Sequence, residues 1–225
     1  MLSRAIAILL LIWTFPAQAN LDALTNQDAV SGLKAALEKG AGAAVSELGK
    51  VDGFFGNSAV KIPLPDSLNK YAKLMHSVGM GKYADELVLT MNRAAEAAVP
   101  EAKKLFEDSI KKMSVQDAKG ILTGGPTSGT DYFKRSTSDQ LRQKFLPIVK
   151  NATAKVKLAD KYNQYAQKGA QFGLVKKDQT NLDDYVTQKA LDGLFTMVAE
   201  EEKKIRQNPV QAGSDIIRKV FGALK

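Results

Sequence analysis

The chain of 225 residues contains no cysteine and a single histidine. Without thiols it can form no disulfide, thiolate metal site or cysteine nucleophile. His76 lies three residues after Lys73, so neither the Glu-x-x-His pair of a di-iron bundle nor a HExxH zinc motif is present. No serine lies in a Gly-x-Ser-x-Gly turn. We therefore expect no cofactor, no metal site and no catalytic residues of these kinds, and a surface or structural role for His76.

The sequence also lacks a long hydrophobic run. Its longest apolar stretch near the start, Ala5 to Phe15, falls short of the ~20 residues that a membrane-spanning helix needs. Arg4 precedes this stretch, and Ala17 and Ala19 follow it as a small-x-small cleavage site. We predict a signal peptide over residues 1–19, cleaved after Ala19, and a periplasmic mature protein over residues 20–225. That protein should have no transmembrane segment, and it has no cysteine to carry a lipid.

Acidic residues are in deficit, since 32 Lys and Arg face 24 Asp and Glu, a net charge of +8. Apart from Arg4, the excess lies after Met113, and the segment from Lys134 to Lys177 holds eleven basic residues against Asp139 and Asp160. Interleaved aromatic residues would suggest nucleic acid in a cytosolic protein. The predicted export argues against nucleic acid and instead favours an anionic envelope surface or lipid. The alternative is an ordinary solvated helix face.

That alternative has support from the helical period. An apolar stripe runs through Leu141, Phe145 and Val149, while Lys150 falls well away from it. Continuing the same phase places later apolar residues outside the stripe, which predicts a break near Lys157 and a second helix. The lysines of the two helices need not share a face.

Period-two alternation, the pattern of a half-buried strand, is missing as well. We predict an all-α fold, a single domain of about eight to ten helices. The predicted features of the first half are a helix from Asp28 to Leu48 with a left-handed cap at Gly49, a loop from Lys50 to Pro65, helices from Asp66 to Val78 and from Tyr83 to Ala98, and a helix with Pro100 in its first turn that ends near Met113. The predicted features of the second half are a capping box of Ser114 and Asp117, a short helix to Leu122, a loop from Thr123 to Thr130, a short helix over Tyr132 to Arg135, a cap at Ser136, Thr137 or Ser138, the longest helix from Asn181 to Gln207, and a last helix through Ile216 and Phe221.

Two polar segments resemble functional motifs. The loop from Gly124 to Thr130 has the glycine spacing of a phosphate loop, but Thr130 replaces the essential lysine and no strand precedes it. Its backbone N–H groups, with Arg135 nearby, could still hold an anion at a helix N-terminus. The carboxylates of Asp183-Asp184 and Glu200-Glu201-Glu202 fit a helix start and a solvated face that pairs with Lys203 and Lys204.

Several stretches together carry a family resemblance. They are DGFFGN with VKIPLP (Asp52 to Pro65), NRAAEAAVPEAK (Asn92 to Lys103), DAKGILTG (Asp117 to Gly124), YFKRSTSDQL (Tyr132 to Leu141), LDDYVTQKALDGLF and AEEEKKIRQNP. The chain resembles DUF4197, a bacterial family of exported helical proteins of unknown function. The resemblance covers nearly the whole mature chain. It implies an all-helical single domain in the envelope and carries over no activity, cofactor or catalytic residue.

These motifs embed polar residues in otherwise apolar patterns. We take seven of them as candidate binding residues: Asp52, Asn57, Lys61, Arg93, Arg135, Tyr185 and Lys189. The other interpretation, which we favour, makes them caps and ion pairs that hold loops down. The sequence thus favours a non-enzymatic binding or scaffold protein of the cell envelope. Two alternatives stay open, a carrier of an amphipathic or anionic, lipid-like ligand in an inter-helix pocket, and an enzyme using carboxylate and lysine chemistry.

Overall fold

The structure, a computed structural model, describes residues 25–77, 79, 81–156, 159–160, 162–163, 166–167, 171 and 180–224. Its α-helices are α1 (Asn26–Leu48), α2 (Asp66–Ser77), α3 (Lys82–Ala98), α4 (Ala102–Lys112), α5 (Val115–Thr123), α6 (Ser128–Thr153), α7 (Leu182–Gln207) and α8 (Asp215–Gly222). Short 3-10 helices at Val99–Glu101 and Pro209–Ala212 join α3 to α4 and α7 to α8. The described residues contain no strand, so the all-α prediction is confirmed, with the helix count at the low end of the predicted range.

The core forms where α6 packs against α3 and α7, while α1 packs across α7, α8 and α4. Leu87, Met91, Leu141, Phe145 and Leu194, which the helical period places inward, are fully buried. An aromatic cluster joins three of the helices, since the Phe106 ring lies 4.5 Å from that of Phe133 and 6.2 Å from that of Phe195. Burial of these apolar faces is what holds the helices together.

Several helix ends follow the predicted capping chemistry. The Ser114 hydroxyl accepts from the Asp117 N–H, and the Asp117 carboxylate accepts from the Ser114 N–H, so the predicted capping box is confirmed. Asn181 caps α7 by accepting from the N–H groups of Asp183 and Asp184. α7 has 26 residues, as predicted for a long helix, but α6 has 26 as well.

The prediction of a left-handed cap at Gly49 is wrong. Its φ is −79°, in the right-handed region. Glycine is needed there for a different reason, because a Cβ would lie 2.9 Å from the carbonyl oxygen of Val45 and 3.3 Å from Cγ of Pro100. A side chain at the end of α1 would thus crowd both the last turn of α1 and the 3-10 helix between α3 and α4.

The division of α6 into a loop, a short helix and a capped second helix is also wrong. One helix begins at Ser128 and runs to Thr153. The hydroxyls of Ser136 and Thr137 do not cap a new helix; they donate to the carbonyl oxygens of Tyr132 and Phe133, at 2.9 and 2.6 Å. Such bonds to the preceding turn allow hydroxyl residues inside a helix.

Some predicted features lie outside the described residues. They include the signal peptide with its cleavage site and much of the segment from Lys157 to Lys177. The end of α6 at Thr153 precedes the predicted break near Lys157. None of the described helices is both long and apolar enough to cross a membrane.

Candidate functional site

The loop between α1 and α2 is held down by a buried carboxylate of α3. Glu96 is 4% exposed, and its Oε1 accepts from the backbone N–H groups of Phe54 and Phe55 at 3.0 and 3.1 Å. Its Oε2 accepts from Nη1 of Arg93 at 2.6 Å, while Nη2 of the same arginine donates to Asp52 at 2.7 Å. Hydrogen bonds to Glu96 and then to Asp52 raise the pKa of Arg93. Arg93 therefore joins the loop to α3 as a fixed cation.

A second set of bonds ties the later half of the same loop. Buried Asn92 accepts from the Ile62 N–H at 2.8 Å and donates to the Ile62 carbonyl oxygen at 2.9 Å. Its side-chain amide thus makes the same two hydrogen bonds to Ile62 that a neighbouring β-strand would make. The Tyr185 hydroxyl of α7 donates to the carbonyl oxygen of Pro63 at 3.1 Å. Fully buried Phe54 fills the space above Gly193, where a Cβ would lie 2.6 Å from its ring.

Six of the seven candidate residues surround this loop. Lys61 lies over the Phe55 ring with Nζ 4.0 Å from its centroid, and Lys189 lies 5.9 Å from the ring centroid of Tyr185. Asn57 accepts from the Ala59 N–H. Asp52, Arg93 and Tyr185 make the bonds given above. The structure brings these six side chains together around the loop, and it places Arg135 apart from them on α6.

Arg135 lies where α5 meets α6, at a corner fixed by an ion pair of α7. Glu202 is 7% exposed and accepts from the N–H groups of Gly129 and Thr130 at 2.9 and 2.8 Å. Arg206 binds Glu202 at 2.9 Å and also donates to the carbonyl oxygen of Ile121 near the end of α5 at 2.8 Å. The pair therefore places a carboxylate at the start of one helix and a guanidinium at the end of the other, as their dipoles favour.

This corner corrects two expectations. The N-terminus of α6 was a candidate for holding an external anion, but the N–H groups of Gly129 and Thr130 already bind Glu202. Glu202 was also expected on a solvated face. Glu200 and Glu201 do pair there with Lys203 and Lys204, at 2.8 and 2.7 Å, whereas Glu202 points inward because it follows Leu194 and Val198 on the buried side of α7.

A polar cleft of about 300 Å³ opens between α5 and α6 beside this corner. Its lining is Gln116, Asp117, Gly120 and Ile121 from α5, and Ser128, Asp131, Tyr132 and Arg135 from α6. We call it the α5–α6 cleft. Its volume is at the lower end of the range for small-molecule sites. The Tyr132 hydroxyl donates away from it, to the carbonyl oxygen of Ser109 at 2.9 Å.

The charged residues that line the α5–α6 cleft differ in whether they already have hydrogen-bond partners. Asp117 is bound in the capping box, and hydrogen bonds from the Ser114 side chain and backbone, with a smaller contribution from the charge of Arg135, lower its pKa. Asp131 and Arg135 line the cleft from one face of α6 and are exposed. Gly120 leaves the cleft open, because a Cβ there would meet no atom within 4 Å.

Sequence reasoning did not single out Asn92, Glu96 or Arg206, and it misplaced Glu202. A signal was present in each case. Asn92 and Glu96 lie one turn apart on the face of α3 that also carries the buried Ala95 and leads to the buried Val99. Glu202 continues the buried stripe of α7. A polar residue in an apolar stripe indicates a buried partner. His76, for which a surface or structural role was expected, lies at the surface with its Nε2 3.2 Å from Asp85.

Comparison with known proteins adds the family and nothing about its chemistry. No curated protein and no solved structure matches the chain. The family model described as "Protein of unknown function (DUF4197)" matches residues 23–222, which is most of the chain. The chain belongs to the DUF4197 family.

Proposed function

We propose that the protein is a non-enzymatic binding protein of the cell envelope, and that the α5–α6 cleft binds a small polar ligand with an anionic group. The place of action rests on the signal-peptide pattern of Arg4, the apolar run after it, and Ala17 with Ala19. The site rests on the cleft itself, which is concave, of ligand size and lined by polar side chains from two helices.

One observation carries the proposal. Within the described part of the chain, every arginine except Arg135 has a carboxylate partner: Arg93 binds Glu96 and Asp52, Arg142 binds Asp184, Arg206 binds Glu202, and Arg218 binds Asp215. Arg135 makes no such pair there, although it lines a cleft next to Asp117. A guanidinium presents five donors in a planar fork that suits a carboxylate or phosphate. It is the group that an anionic ligand would meet.

The polar lining favours a hydrophilic ligand over an amphipathic one. The apolar cavity between α1, α7 and α8, lined by Leu33, Leu37, Val198, Ile205 and Phe221 among others, has a volume of only about 10 Å³. That is room for about one water molecule and not for an acyl chain. Compared with this cavity, the α5–α6 cleft has the room for a small ligand.

Native mass spectrometry of protein purified from its own compartment tests the proposal. We expect a bound small molecule, which is lost from an Arg135→Gln variant and from a Gly120→Leu variant whose side chain fills the cleft. Gly42→Leu is the matched control, because Gly42 is an exposed glycine of α1 with the same open surroundings. A bound mass that persists in both cleft variants would place the ligand elsewhere and contradict the proposal.

A further inference from the structure

We infer that the α5–α6 cleft takes a zwitterionic ligand, a small amino acid with a free ammonium and a free carboxylate. The inference rests on the proposed function and narrows the ligand class of the same site. It comes from the pair of charges on α6. Asp131 and Arg135 lie four residues apart, which puts them on one face of the helix with Cβ atoms about 6 Å apart. Both line the cleft, yet they form no ion pair with each other within the described part of the chain.

The net charge of the lining argues against a purely anionic or purely cationic ligand. Asp117 is held ionised, because its capping hydrogen bonds lower its pKa. Two carboxylates and one guanidinium therefore face the α5–α6 cleft at neutral pH. An anion that bound Arg135 would be repelled by the two carboxylates, and a cation that bound a carboxylate would be repelled by Arg135. A zwitterion satisfies both signs, with its carboxylate on Arg135 and its ammonium on Asp131.

The neutral lining supplies the remaining bonds. The Gln116 amide can both donate and accept, and the Ser128 hydroxyl, which donates to the Gly125 carbonyl oxygen at 3.0 Å, still has lone pairs to accept an N–H. Oδ2 of the Asp117 carboxylate accepts from the Ser114 N–H and hydroxyl at 3.0 and 2.6 Å, which ties this side chain to the helix end, whereas Asp131 accepts no such bond within the described residues. The ammonium-binding group is therefore Asp131.

The backbone positions of the two charged residues are set by rigid elements. Both belong to the first eight residues of α6, whose start is fixed by Glu202, and the opposite wall is α5, whose end is fixed by Arg206. Because Asp131 and Arg135 lie about one helical turn apart, a ligand that contacts both needs its ammonium and carboxylate close together, separated by one or two carbon atoms. Longer chain zwitterions would place one group outside the cleft.

The test uses the full mature chain with an equimolar mixture of the proteinogenic L-amino acids as the probe, read by saturation-transfer NMR. Each amino acid that binds is then titrated individually beside its N-acetyl derivative, which lacks the ammonium, and its amide, which lacks the carboxylate. We expect at least one amino acid to bind, and both derivatives to bind at least tenfold more weakly. Arg135→Gln and Asp131→Asn should each weaken binding at least tenfold, since each removes one charge-assisted hydrogen bond to the ligand.

The outcomes separate the inference from the proposed function. Gly120→Leu should abolish binding and Gly42→Leu should preserve it, which shows that any loss comes from filling the α5–α6 cleft and not from unfolding. If the N-acetyl derivative binds as well as the free amino acid, and Asp131→Asn loses nothing, the ligand is an anion; the inference is then wrong and the proposed function stands. If neither form binds and the purified protein carries no mass sensitive to Arg135, both are wrong.

Discussion

Glu96 makes three of the contacts that hold the loop between α1 and α2, two with backbone N–H groups and one with Arg93. A buried carboxylate with this many partners is stabilising only as part of its set. Glu96→Ala leaves the N–H of Phe54 buried without an acceptor and removes the closest partner of Arg93. Because Arg93 is partly exposed and keeps Asp52, we expect the cost of the unpaired N–H groups to dominate, a loss of about 1–3 kcal/mol in the free energy of unfolding, measured by urea denaturation.

Two further variants make that measurement specific. Glu96→Gln keeps an oxygen for the N–H groups but not the charge for Arg93, so its loss should be smaller. Glu200→Ala removes a carboxylate that also pairs with a cation three residues along its helix, Lys203, but that is exposed, and its urea midpoint should match that of the native protein. Equal midpoints for Glu96→Ala and Glu200→Ala would show that the loop does not depend on the buried carboxylate.

Gly129 is a residue whose missing side chain matters. A Cβ there would lie 2.4 Å from Cδ2 of Leu37 and 3.1 Å from Oε1 of Glu202, so both the core and the ion pair would have to move. We expect Gly129→Ala to lower stability by about 1–3 kcal/mol, as overpacking does. Gly42→Ala has open space and should instead stabilise by about 0.5–1 kcal/mol. Melting temperatures that rise for both variants would contradict this account.

At the scale of elements, α7 fixes how α5 and α6 meet. Glu202→Ala would leave the N–H groups of Gly129 and Thr130 buried and unpaired, and would free Arg206 from its partner. We expect the amides of both residues to exchange with solvent faster than those in the middle of α6, by hydrogen exchange read by NMR. Glu200→Ala, two residues away and exposed, should leave their exchange unchanged. Slow exchange at both amides in Glu202→Ala would mean that another group holds the helix start.

The start of α5 offers a test through pH. The pKa of Asp117 is lowered from its ordinary value of 3.8, chiefly by the Ser114 hydroxyl and backbone N–H. A lowered carboxyl pKa contributes stability above 3.8, and that contribution is lost as the pH falls through the folded-state pKa. Ser114→Ala should raise the Asp117 pKa toward 3.8, as measured by NMR titration of its carboxyl carbon, and reduce the acid sensitivity of α5. A pKa that stays low in this variant would assign the shift to another neighbour.

At the scale of the whole molecule, the sequence predicted what depends on local pattern. The inward faces of α1, α3 and α7 and the capping box at Ser114 follow from period and spacing, and they are present. The prediction was wrong at helix ends whose structure depends on a contact with a distant part of the chain. Gly49 is packed against Pro100 as well as its own turn, and the start of α6 is held by a carboxylate more than seventy residues away, that of Glu202. No local pattern carries such information, because the partner is chosen by packing.

The candidate site divides in the same way. Arg135 could be singled out from the sequence because it is a polar residue beside a glycine-rich turn. The structure places it in the lining of the α5–α6 cleft. Its neighbours Gln116 and Asp131 could not be singled out, because only the packing of α5 on α6 brings them to one opening. The six residues around the other loop were grouped with Arg135 by their polar character alone. The structure separates the two groups because Glu202 and Asn92 anchor different corners.

The predicted export is a property of the whole chain, and processing tests it. Signal peptidase reads small residues one and three positions before the cut, which are Ala19 and Ala17, and not the residue between them. We expect the intact mass of periplasmic protein to correspond to a chain that begins at Asn20. Ala19→Glu should leave the uncleaved precursor in the membrane fraction, whereas Gln18→Glu, which adds the same charge one position earlier, should be processed normally. Identical processing of the two variants would mean that the cut, if it occurs, lies at another position.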